Sequence, residues 1–118
     1  MLQILAETHD NIIATRAAGK LTHYDYGKIL PLLLNLLRRY KKVSLFFEME
    51  DVEDRQIKTF WDDVKLDVQH VNSYEKIALV GKKNWRVLIA DLMKPFVKSE
   101  IKFFELAERD SAFDWLKK

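Results

Sequence analysis

The chain has 118 residues, nearly half of them apolar and about a third charged, with a net charge of +2. That length suits one domain around one core, and the balance is that of a globular protein rather than a disordered or membrane-spanning one. Lys and Arg are interleaved with Asp and Glu, which argues against nucleic acid as a partner. Cysteine is absent, so disulfides, thiol nucleophiles and thiolate metal sites are excluded and a reducing compartment is expected. The start, Met1-Leu2-Gln3-Ile4-Leu5-Ala6-Glu7, lacks the basic and long apolar regions of a signal peptide, so a cytoplasmic location is expected.

Residues 2–7 and 11–17 are β-prone runs joined by Thr8-His9-Asp10, a link of hairpin length, and are expected to pair antiparallel. After Gly19, Thr22 is expected to cap a first helix over residues 23–40, with Asp25 completing a box-like start. Pro31 should kink that helix near Gly27 or mark where its regular turns begin. Its leucines form a face too wide for one neighbour, and the closing run Arg38-Arg39-Tyr40-Lys41-Lys42 suits a helix end.

Residues 43–50 read as a central strand buried on both sides, followed by the acidic turn Asp51-Val52-Glu53-Asp54. A second helix over residues 55–71 places Ile57, Phe60, Trp61, Val64, Val68 and Val71 on one face. Residues 76–81 form the next buried strand, and Gly81 leads straight into a third helix over residues 85–96. That helix presents Trp85, Leu88, Ile89, Leu92, Met93 and Phe96, and Pro95 should end it. Residues 101–106 form the last strand, and Asp110 or Ser111 caps a closing helix. The order β-β-α-β-α-β-α-β-α calls for an α/β fold with a mixed, mostly parallel five-stranded sheet, right-handed crossovers and an N-terminal hairpin.

Catalytic signatures are missing. His9, His23 and His70 have no metal-ligand spacing, and the serines have no Gly-x-Ser-x-Gly context. Asp62, Asp63 and Asp67 alternate with lysines at salt-pairing offsets, and His70 is within reach of Asp63 or Asp67. Gly81-Lys82-Lys83-Asn84 has one glycine and no following Ser or Thr, a poor match to a phosphate loop. Neither enzyme activity, a metal nor a cofactor is expected.

Three stretches carry a family resemblance: Phe60-Trp61-Asp62-Asp63-Val64-Lys65-Leu66-Asp67-Val68-Gln69-His70, Lys76-Ile77-Ala78-Leu79-Val80-Gly81-Lys82-Lys83-Asn84-Trp85, and Ile101-Lys102-Phe103-Phe104 with Ala112-Phe113-Asp114-Trp115-Leu116. With the element order, they resemble the SpoIIAA-like proteins of the STAS fold. That resemblance implies a regulator of the anti-sigma-factor-antagonist type, switched by a serine at the helix after the third strand. Here the turn offers Asp51, Glu53 and Asp54, with no Ser or Thr before Thr59, so a partner would dock on those acids without a phosphorylation switch.

The family is in turn similar to CRAL-TRIO lipid-binding domains, which implies a helix pair that can admit an apolar small molecule or lipid, or touch a membrane. On this chain it points to Phe60, Trp61, Val64, Trp85, Ile89, Met93 and Phe96. Their spacing is equally that of an ordinary core face, and both readings stand at this level. A homodimer is a further expectation, from the leucine-rich first helix and Trp115.

Overall fold

Strands whose residues are apolar on both sides belong at the centre of a sheet, and three do. β2 (Ile12–Ala18), β3 (Val43–Glu50) and β4 (Tyr74–Gly81) are buried over most of their length. They are flanked by β1 (Leu2–Ile4), buried only at Leu2, and β5 (Glu100–Glu105), buried only at Phe104. The computed structural model describes residues 1–67, 69–96 and 98–118.

The spatial order is β1-β2-β3-β4-β5. β1 runs antiparallel to β2, Leu2 opposite Ala17, and the remaining pairs are parallel. The crossovers are α1 (Tyr26–Leu36), α2 (Asp54–Leu66) and α3 (Arg86–Leu92), and α4 (Arg109–Leu116) closes the chain. Short 3-10 turns lead into α1, α3 and α4. This is the expected architecture.

Several boundaries differ from expectation. The first strand stops at Ile4, because the Thr8 hydroxyl takes the Ala14 N–H at 3.0 Å and Asp10 turns the chain with φ 53°. The first helix splits into a 3-10 turn and α1; the Thr22 N–H donates to Asp25 Oδ2 at 2.7 Å, completing the expected box. Pro31 lies inside α1, and the basic run follows the helix rather than forming its last turn. α2 ends at Leu66; Val68, expected on its core face, lies outside the described residues.

α3 ends at Leu92, and residues 93–95 form a turn, since Pro95 disfavours helical backbone in the residue before it. The last strand starts and ends one residue earlier than expected. Neither Asp110 nor Ser111 is the closing cap: Glu108 Oε1 accepts from the Glu105 N–H at 2.9 Å and starts the final helical segment.

The sheet separates two cores. One face carries Ile13, Ala17, Leu45, Phe47, Met49, Ile77 and Leu79 beneath α1, α2 and α3. The other carries Ile12, Ala14, Phe46, Ala78, Val80 and Phe104 beneath α4, which supplies Ala112, Phe113 and Leu116. Among the described residues no helix is long and apolar enough to cross a membrane.

Candidate functional site

The seven aromatic and aliphatic positions expected to bind a ligand or membrane do come together. Phe60, Trp61 and Val64 descend from α2, and Trp85, Ile89, Met93 and Phe96 come from α3 and its two ends. Phe47 of β3 is their floor, 4.9 Å from Phe60 and 5.1 Å from Trp61 between ring centroids. Trp61 then meets Phe96 edge-on at 6.0 Å, and Phe96 meets Tyr74 at 6.2 Å. All seven are buried. As placed they form a core layer and present no surface to a bilayer, because their spacing fits the sheet beneath them. Ile89 and Met93 also line a groove of about 300 Å³ between α3 and β5.

Within this layer two polar atoms stand out. Trp61 and Tyr74 are 0% and 1% exposed, and neither Trp61 Nε1 nor the Tyr74 hydroxyl has a hydrogen-bond partner among the described residues. A buried donor without an acceptor costs about 1–3 kcal/mol. Burial pushes the Tyr74 phenol up to about 12. The Tyr26 hydroxyl donates to Asp67 Oδ2 at 2.9 Å and keeps its lone pairs, and it lies close enough to Tyr74 for each phenol to perturb the other, although their approach falls short of hydrogen-bond geometry. Burial, then the neighbouring Tyr74 and Asp67, push the Tyr26 phenol up as well.

Asp67 also meets His70 Nδ1 at 2.7 Å, whereas Asp63 meets His23 Nδ1 at 2.8 Å. Asp63 and His70 therefore have different partners. Among the described residues no group of three His, Asp or Glu side chains could hold a metal ion.

The strand-glycine-aromatic junction has a steric cause. A Cβ on Gly81 would lie 2.5 Å from Trp85 Cε3, so only glycine lets the indole fold back over the end of β4. Trp85 Nε1 donates to Asp54 Oδ1 at 2.8 Å, and Lys82 sits over the ring at 5.6 Å. Asp54, expected to face a partner, thus ties the start of α2 to the start of α3. Asp51 and Glu53 are exposed; Asp51 has φ 50°, and Glu53 pairs with Arg55 at 3.3 Å.

On the α4 face lies a constellation that the sequence reading missed. Glu48, its side chain 3% exposed, accepts from Arg16 Nε at 2.9 Å and Arg109 Nε at 2.7 Å. Arg109 reaches on to Glu7 at 2.9 Å and lies over the Phe46 and Phe113 rings, which stack at 4.0 Å. The Arg109 hydrogen bond holds the Glu7 carboxyl below the usual carboxylate range. Beside it opens a cleft of about 660 Å³ lined by Glu7, Asp10, Ile12, Arg109, Phe113 and Asp114 among others. The signal was a glutamate between Phe47 and Met49 inside a central strand, since Glu is almost never fully buried unless paired.

An opening antiparallel hairpin, three parallel crossovers and a helix on the reverse face define an α/β domain of the SpoIIAA-like type. The SpoIIAA-like family model matches residues 12–117, and the chain belongs to that family. Among solved structures it is similar to an uncharacterised protein of the DUF3478 family with a SpoIIAA-like fold, from Shewanella loihica PV-4. The two are 27% identical with a TM-score of 0.65, over 98% of this chain and 92% of that one. No curated protein matches the chain.

Proposed function

We propose that the chain is a non-enzymatic binding module that takes up an amphipathic small molecule or lipid between α2 and α3. The observation that carries this reading is the pair of buried, unpartnered donors, Trp61 Nε1 and the Tyr74 hydroxyl, on either side of Phe96 in an aromatic layer. A guest with an apolar body and a carbonyl or carboxylate head supplies the acceptor they lack, so its binding recovers desolvation already incurred. α2 and α3 separate to admit it, and the Trp85–Asp54 bond is the tie that parts. Leu66 and Val87, 77% and 76% exposed on these helices, are suited to peripheral membrane contact, with the bilayer as the source of the guest.

Displacement of a fluorescent fatty acid by lauric acid tests this reading on the full chain. Tyr74→Phe should weaken uptake at least tenfold while leaving the fold and thermal stability intact, and Trp61→Phe should weaken it as much while lowering stability, because it also opens a cavity in the core. Absence of uptake by the unmodified chain, or uptake indifferent to both substitutions, refutes it.

A protein-interaction regulator without the phosphorylatable serine is the competing reading. Only the exposed Asp51 and Glu53 favour it, since Asp54 already holds Trp85. Charge reversal at Asp51 that abolishes capture of a purified kinase partner would select it.

A further inference from the structure

The groove between α3 and β5 stands on observations independent of the two buried donors. β5 is the last strand of the sheet, and among the described residues no strand lies beyond it. Backbone N–H and C=O groups along one side of Glu100–Glu105 therefore face outward, the arrangement to which another strand can add. Natural edges of this kind are commonly covered or blunted.

This edge has a groove of about 300 Å³ beside it, with Ile89, Met93, Ile101 and Phe103 supplying apolar surface. The ionisable side chains lining it, Arg86 and Lys94, are both cations and both exposed. Arg86 lies over the Phe103 ring at 5.6 Å, near one end of the strand. Lys94 is held by Asp91 at 3.3 Å, a pair whose members are both more than 70% exposed, and such a pair is worth about 0–1 kcal/mol. By alternation along β5, Glu105 shares the groove's face beyond Phe103, whereas Glu100 and Lys102 belong to the face under α4.

We propose that this edge is a strand-addition site for an extended acidic segment of a partner protein. The partner's backbone pairs with β5, one apolar side chain enters the groove, and carboxylates two residues away on either side meet Arg86 and Lys94. That spacing follows from the period of two along a strand. Glu105 repels a further carboxylate, so the recognised register is acidic, apolar, acidic at alternate positions and ends there. The complementary charges supply selectivity, and the main-chain ladder supplies affinity.

The test is a nuclear magnetic resonance titration of the full chain with a capped five-residue peptide in which glutamate, valine and glutamate alternate with threonine. Expected are shifts at Arg86, Ala90, Ile101 and Phe103 and slowed exchange of alternate β5 amides. A peptide with lysine for glutamate should bind at least tenfold more weakly, and one N-methylated at its threonines should not bind. The double variant Arg86→Glu, Lys94→Glu, both exposed positions, should reverse the preference while the rest of the spectrum stays in place. The proposal is overturned by absence of shifts, by binding indifferent to peptide charge or N-methylation, or by an unreversed preference. It is equally overturned if β5 amides are protected by raising the protein concentration alone, which assigns the edge to a second copy, or only by anionic vesicles, which assigns it to a membrane.

Discussion

The two faces of the sheet treat buried polar groups in opposite ways. Under α4 the most demanding group, the Glu48 carboxylate, has a guanidinium on each oxygen, and one of these stacks on Phe46 and Phe113. On the side of α1, α2 and α3 the buried Asp25 carboxylate takes the Thr22 N–H and pairs with Lys28, yet two neutral groups of the aromatic layer, Trp61 Nε1 and the Tyr74 hydroxyl, have no partner among the described residues. The proposed uptake between α2 and α3 would account for those two groups. Buried unpartnered donors are rare enough in folded proteins that each calls for a physical explanation.

Breaking the satisfied side should have the largest effect. Glu48→Ala removes the carboxylate shared by Arg16 and Arg109, two hydrogen bonds to a charged group worth about 1.5–3 kcal/mol each before discounting for the partly exposed guanidinium groups, which keep Glu50 and Glu7. Urea unfolding should show that loss as a lower midpoint with an unchanged slope. Gly81→Ala comes next, because its Cβ would collide with the Trp85 indole. Overpacking of this kind costs about 1–3 kcal/mol, and adding Trp85→Leu should recover part of it while losing the tie to Asp54.

Breaking the unsatisfied side should be nearly free. Tyr74→Phe deletes a donor that has no acceptor among the described residues, so stability at neutral pH should be unchanged or raised by up to about 1 kcal/mol. The pH dependence sharpens the contrast. Burial raises the Tyr74 phenol from 10.0 to about 12, so its contribution is complete below pH 10 and is lost as pH rises through 12. Tyr74→Phe should remove that alkaline loss from a stability profile.

Glu7 works in the other direction and more weakly, being 43% exposed. Its carboxyl is held below 4.5 by Arg109, so that contribution is present above pH 4.5 and fades as pH falls through the lowered value. Glu7→Gln should flatten the acid limb slightly, and in high salt the difference should shrink.

The sequence made the element order and the parallel sheet legible because fully apolar strands and amphipathic helices have different periods. Ends were harder. The first strand stops early through a Thr8 side-chain bond, and the closing helical segment starts at a Glu105–Glu108 box rather than at Asp110. The aromatic layer was found as a group, but its spacing is the same whether residues face a core or a guest, so its burial was not readable. Nor was the Glu48 network: its arginines lie 32 and 61 residues away along the chain and meet it only through the sheet and α4. The Gly81–Trp85 junction was visible, whereas its steric cause appears only when the indole folds back on β4.

The two interior tryptophans offer the most direct measurement, because Trp85 Nε1 is bonded to Asp54 and Trp61 Nε1 has no partner among the described residues. In a 15N–1H titration with lauric acid, the Trp61 indole resonance should move downfield and saturate as it gains an acceptor, and the Tyr74→Phe variant should titrate more weakly. A Trp61 indole that stays fixed through the titration would contradict a binding site between α2 and α3.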